Sequence, residues 1–353
     1  MEKKWIEKLG VRFPVIQAPM AGITTPELVS AVSNHHCLGM IGAGYLTADK
    51  TREFIRQVKK MTAHSFGINL FVPEDNVLTE EKLKKTTNLL DVYRKELQIA
   101  EQEVPIFSAP EYEQQIEIVL KENVPVCSFT FGIPSREVVK ELKKNGIIVI
   151  GTATNVGEAK QVESIGMDAV VVQGTEAGGH RGSFLESDSL IGLMSLIPQA
   201  VDHVSIPVIA AGGIMDGRGL TAALCLGAQA VQLGTAFLTT KESGAHPLHK
   251  RSILHASEEE VVLTRAFSGK TARGVRNKFI EDLKRYEHVL PDYPYQHHLT
   301  KEIRRVASEQ NNQEYMSLWS GQSPRLSREV TVKELIQSLQ EEATEILSQF
   351  KEI

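Results

Sequence analysis

The chain of 353 residues has no run approaching the roughly 18 consecutive apolar residues that a membrane-spanning helix needs, so no segment reads as a span. Its first ten residues, MEKKWIEKLG, lack the apolar stretch of a secretory signal, and the expected location is the cytoplasm. Cysteine is scarce. Cys37, Cys127 and Cys225 stand far apart without C-x-x-C spacing, so no thiolate metal site is expected and they read as core residues in a reducing compartment. Basic charge is not in excess either: 39 Lys and Arg against 44 Asp and Glu leave a net charge of −5, which argues against non-specific binding to a phosphate backbone. Neither nucleic acid nor a membrane is therefore an expected partner. Charge runs such as Glu80, Glu81, Lys82, Lys84 and Lys85 mix both signs and read as a solvated helix face.

What the chain does have is a series of short apolar runs. They are VIQAPM (15–20), LGMIGAG (38–44), SFGINLFV (65–72), VPVCSFTFG (124–132), GIIVIGTAT (146–154), DAVVVQG (168–174), IPVIAAGGI (206–214) and AQAVQLGTAF (228–237). Continuous rather than alternating hydrophobicity marks strands buried on both faces, as in parallel sheets. Helical stretches separate them. Thr25 can cap one, with Pro26 in its first turn; Ser135 opens another that Gly146 stops; Asn155 and Gly166 repeat the device. Eight buried strands joined by seven crossovers place the chain in the α/β class as a (β/α)8 TIM barrel. Two regions break the rhythm. A charged, Leu-studded stretch fills 73–104, and 241–305 reads mainly as helices and loops. The expected organisation is a barrel over 1–240, a smaller helical cap over 241–315 at one mouth, and a segment 316–353 whose amphipathic helix (332–350) packs back on the barrel.

In such barrels the chemistry sits at the C-terminal strand ends. Strands seven and eight end in AAGGI and QLGT, where Gly213, Gly234 and the Thr235 hydroxyl can approach an oxyanion closely. The segment after Gly213 can open a helix whose N-terminus favours negative charge, so a phosphate-bearing ligand is expected here. Asn69 and Gln173 end strands three and six, and Gln232 lies on strand eight. Carboxamides both donate and accept, which suits the alternating edge of an isoalloxazine ring. The stretch VVVQGTEAGGHRG (170–182) carries His180 just beyond two glycines, and that position singles it out from the ten other histidines, which read as structural. SGKT (268–271) is not a P-loop, because the glycine required at 264 is a threonine, and GAG (42–44) is not a dinucleotide fingerprint, because the third glycine is Thr47.

Taken together, PVIQAPMAGITTPELVSAVS, FGINLFVP, VVVQGTEAGGHRGSF, IPVIAAGGI, AVQLGTAFLTTKES and FSGKTARGVRNKFI resemble the bacterial nitronate monooxygenases, formerly 2-nitropropane dioxygenases, over nearly the whole chain. The resemblance implies an FMN-dependent flavoprotein monooxygenase that oxidises alkyl nitronates with O2 to carbonyl compounds and nitrite, a detoxifying reaction exemplified by propionate 3-nitronate. It implies FMN contacts from Asn69, Gln173, Gly178, Gly213, Gln232, Leu233, Gly234 and Thr235, with Met20 backing the ring, His180 as the active-site histidine and no metal. The small-molecule partners would be the nitronate and O2; a homo-oligomer is left open. FMN-dependent enoyl-ACP reductases share similar EAGGH and AAGGI patterns, so NAD(P)H-dependent enoyl-thioester reduction and a non-catalytic flavin-binding barrel stand as alternatives.

Overall fold

The computed structural model describes residues 4–74, 76–99, 111–185 and 189–349; the end of the 73–104 stretch and the last four residues, including Phe350, lie outside them. Eleven strands are present among these residues: β1 (Val15–Gln17), β2 (Gly39–Gly42), β3 (Phe66–Phe71), β4 (Val126–Thr130), β5 (Ile148–Ala153), β6 (Ala169–Gln173), β7 (Gly179–His180), β8 (Val208–Ala211), β9 (Ala230–Leu233), β10 (Val261–Thr264) and β11 (Ala272–Val275). Eight of them form one parallel sheet in the order β1-β9-β8-β6-β5-β4-β3-β2. A parallel bridge between Ile16 and Leu38 joins its two edges and completes a TIM barrel. All eight expected strands are there, each shorter than its apolar run, and the end of the last run, from Thr235, is already helical.

The crossovers start and stop as the side chains dictate. Leu28 N donates to Thr25 Oγ1 at 3.0 Å, Val138 N to Ser135 Oγ at 3.3 Å and Glu158 N to Asn155 Oδ1 at 2.9 Å, each cap worth about 1 kcal/mol. The last two helices end at Gly146 (φ 74°) and Gly166 (φ 94°) in left-handed backbone that a Cβ disfavours. Inside the barrel, Ile16, Met40, Val126, Ile150, Val171 and Ile209 pack together, and Trp5, Leu9 and Val11 from the N-terminal segment join them. A larger cluster lies between the strands and the surrounding helices, to which Leu335, Ile336 and Leu339 of the final helix Val332–Gln349 contribute.

A third cluster is built around Phe267, Phe279, Ile303 and Tyr315, and takes Leu90 and Tyr93 from the helix Glu80–Glu96 that follows β3. The two irregular regions of the sequence therefore pack against each other. The second of them is not only helices and loops: β10 and β11 pair antiparallel, and β11 also pairs with β7. The run Val261-Val262-Leu263-Thr264 has the β-branched content of a strand, but its sheet lies outside the barrel. Cys37 and Cys127 are buried as expected, whereas Cys225 is exposed. No helix of the described residues is long and apolar enough to cross a membrane.

Candidate active site

The C-terminal ends of the barrel strands surround one cavity. Met20, Asn69, Gln173, Gly178, His180, Gly213, Gln232, Gly234 and Thr235 all line it. Leu233 does not: its side chain is buried in the strand–helix core and its carbonyl accepts from Ala18 N at 2.8 Å. The carboxamides differ in how far the protein itself uses them. Asn69 donates to Ser128 Oγ (2.9 Å) and Thr130 Oγ1 (3.0 Å), which aims its Oδ1 elsewhere. Gln173 holds the backbone on both sides of Arg181, donating to His180 O at 3.0 Å and accepting from Gly182 N at 2.8 Å. The Gln232 carboxamide makes no hydrogen bond among the described residues, although it faces the cavity.

Between Gln173 and Gln232, at the ends of β8 and β9, the glycines do two jobs. Gly212 (φ 131°) and Gly213 (φ 67°) turn the chain after β8 in conformations that need glycine. Their amides, and that of Gly234, take no partner among the described residues. The helix expected to add an anion-attracting terminus here, Gly217–Cys225, contributes none. Asp216 already accepts from Arg218 N (3.0 Å) and Gly219 N (3.3 Å), and Glu342 from Gly217 N at 2.7 Å. Two carboxylates fill that terminus, so an anion can be cradled only by the glycine turns and Thr235. A Cβ on Gly178 would stand 2.5 Å from Gly321 N, because the 320–321 backbone closes over it.

His180 lies on β7, opposite Ala272 of β11, rather than at the top of β6. Its Nε2 is 2.8 Å from Ser268 Oγ, and Ser268 lies 3.2 Å from Lys270 O, to which its hydroxyl can donate. The same hydroxyl can turn instead to Nε2, which leaves the hydrogen of the neutral ring on Nδ1 as a donor. Phe131, Trp319 and Tyr293 box the imidazole at ring-centre distances of 5.7, 5.3 and 6.3 Å. This removal from water, aided by the charges of Lys270 and Arg304, pulls the His180 pKa down to about 3, so the ring is neutral at physiological pH. Phe131 holds φ 72°, a strained conformation for a bulky aromatic residue, and Lys270 Nζ sits 4.9 Å above its ring while pairing with Glu74 at 2.8 Å. Arg181 is buried and donates to the carbonyls of Gln173, Gly174 and Ser189, which makes it a clip for the loop after β6.

A family model described as nitronate monooxygenase matches residues 2–342. The chain belongs to the nitronate monooxygenase family. It is 51% identical over 346 residues to a probable nitronate monooxygenase of Staphylococcus haemolyticus, with 97% of both chains covered. Among solved structures it resembles a nitroalkane oxidase from Streptomyces ansochromogenes, at 37% identity and a TM-score of 0.93 over 98% of this chain and 99% of that one. FabK from Thermotoga maritima follows at 31% identity and a TM-score of 0.80, over 99% of both. As a nitronate monooxygenase family member the chain is an oxidoreductase.

Ser268, Tyr293 and His297 do not line the cavity but touch His180 or Tyr45, which do, and the sequence pattern marks none of them. Ser268 belongs to the SGKT segment set aside as a failed P-loop. Tyr293 and His297 lie in the irregular 241–305 stretch, where the histidines read from sequence as structural. Tyr45 lines the cavity and stacks on His297 at 4.3 Å. Only a contact over more than 80 positions reveals these roles, and no local spacing signals it.

Proposed function

We propose that this family member binds FMN in the cavity and oxidises alkyl nitronates with O2 to carbonyl compounds and nitrite. The observation that supports it best is the convergence, on one mouth, of unpaired amides at Gly212, Gly213 and Gly234 with carboxamides facing the same cavity. Those donors fit FMN. The glycine turns and Thr235 would hold the phosphate, while Asn69, Gln173 and Gln232 would meet the polar edge of the ring. Met20 would back the ring, and Gly178 would let backbone lie against it. Leu233 would contribute through its backbone alone. Bound FMN would supply the electron acceptor that nitronate oxidation by O2 requires.

The protein's own part is to hold the substrate and exclude water. A nitronate is already an anion, so no proton need leave carbon. That suits His180: a ring with so low a pKa is a weak base, poorly matched to deprotonating a neutral nitroalkane. Its role in this reading is to orient and stabilise the nitro oxygens, within a wall made by Phe131, Trp319 and Tyr293. The aromatic box also keeps water from the reacting carbon.

The test begins with the absorption spectrum of the purified protein, which should show a flavin. Oxygen uptake with propionate 3-nitronate, in the absence of pyridine nucleotide, should follow. Rapid anaerobic bleaching by NADPH, with no uptake on nitronate, would instead establish enoyl-thioester reduction. A flavin-bearing protein that turns over neither would be a binding barrel.

A further inference from the structure

Most cations around the cavity are already engaged. Lys270 pairs with Glu74 at 2.8 Å and Arg265 with Asp292 at 2.6 Å, while Arg273 donates to Thr175 O and Val261 O. Arg304 differs. It is half-buried on the helix Tyr295–Glu309, and among the described residues no carboxylate lies within ion-pair distance of it. Its bonds run from Nε to Thr300 Oγ1 (3.3 Å) and from Nη2 to His297 O (2.9 Å) and His297 Nδ1 (3.3 Å). Nη1 makes no bond within the described chain and is not sealed among the buried polar atoms.

The bond to Nδ1 settles the state of His297. A guanidinium only donates, so Nδ1 must accept, and the neutral ring carries its hydrogen on Nε2. Burial and the Arg304 charge both push the His297 pKa well below its ordinary value, which keeps the ring in that form. His297 in turn stacks on Tyr45, whose ring lines the cavity and remains 39% exposed. Arg304 also depresses the pKa of His180. Its positive charge therefore reaches both imidazoles and the rim at Tyr45 without a resident anion to cancel it.

We propose that Arg304 is a specificity-determining residue: with the neutral His297 donor and Tyr45 it forms a subsite at the cavity rim for a second anionic group, a carboxylate, on the substrate. This rests on the nitronate reading and adds to it the residues that distinguish a carboxylated nitronate from an uncharged alkyl one. Arginine suits the role, because its unused Nη1 can join a charge-assisted hydrogen bond while Nε and Nη2 hold the side chain in place.

The experiment compares kcat/KM for propionate 3-nitronate with that for butyl 1-nitronate, similar in length but lacking the carboxylate. In the wild-type holoenzyme the ratio should favour the carboxylated substrate by at least about tenfold. In Arg304→Met it should fall by roughly 10- to 100-fold, the worth of one hydrogen bond between charged groups, and Arg304→Lys should recover part of it. A wild-type ratio near one, or a ratio unmoved in Arg304→Met, overturns the proposal. Calorimetric binding of 3-nitropropionate against 1-nitrobutane to the same holoenzymes reads the subsite without turnover. If the wild type oxidises neither nitronate, the functional reading fails while this binding difference still decides the role of Arg304. If Arg304→Met does not fold, the wild-type ratio and Arg304→Lys carry the decision.

Discussion

Ser268 Oγ lies 2.8 Å from Nε2 of His180, although 88 positions separate them in the chain. The hydroxyl belongs to the turn between β10 and β11, and the imidazole to β7, so the small sheet outside the barrel sets the orientation of the ring that faces into it. Ser268→Ala should therefore lower kcat/KM for a nitronate by up to about tenfold, the net worth of one neutral hydrogen bond, with flavin content unchanged. Steady-state oxygen uptake beside a flavin-to-protein absorbance ratio checks this.

Replacing the imidazole separates its two conceivable roles. If His180 acts by holding the nitro oxygens, Asn at 180 keeps an N–H donor and should retain more activity than Ala. His180→Ala should lose on the order of 100-fold in kcat/KM. Equal losses in both variants would point instead to proton transfer, and unchanged turnover in both would remove His180 from the site.

Acid should weaken the fold through its buried histidines. His249 is buried, its ring bonded to Trp319 O at 2.8 Å, and desolvation lowers its pKa to about 4. The unfolded chain, titrating near 6.5, binds a proton between pH 6.5 and 4 that the folded state does not. Stability is therefore full above about pH 6.5 and falls as the pH drops toward 4. At pH 5 this one group should cost about 2 kcal/mol. His180 adds to the loss in the same direction. Thermal melts from pH 7.5 to 5 should show the decline, and His249→Gln should flatten it.

Gly178→Ala should damage the cavity from the outside. The added Cβ would meet Gly321 N and Ser320 C, both at 2.5 Å, and backbone cannot step aside as a flexible side chain can. A loss of roughly 1–3 kcal/mol and weaker flavin retention are expected, read from the melting temperature and from spin-column recovery of the chromophore.

Much of this molecule was legible in the sequence, and the reasons are physical. A barrel strand is covered on both faces, so Val170, Val171 and Val172 in succession announce it without context. Gln173 closes β6 as the sequence implies, whereas Asn69 sits inside β3, two residues before its end, and nine of the ten residues inferred for the site line the cavity. Leu233 does not line it, because its side chain points to the helices, the opposite face from Gln232, and any contact of its own would come from the backbone. Cys225 failed for a helical reason: AALCLG is apolar throughout, but positions 222 and 225 share the outer face while Leu220 and Ala223 face inward. The terminus of that same helix is filled by Glu342, 125 positions away, and no local pattern could announce such a partner. The pairing of β7 with β11, more than 90 positions apart, is likewise invisible to local pattern, which is why His180 reads from sequence as an appendage of strand six.

That pairing has a consequence for how such a protein can be altered. His180 is contributed by the barrel half of the chain, yet the backbone hydrogen bonds that fix it come from a segment more than 90 residues later. The segment that carries β11 is thus no detachable accessory: excising it, or exchanging it for a relative's, would unmoor the histidine even if every barrel strand folded intact. Any redesign of this scaffold has to treat β11 and the imidazole as one unit.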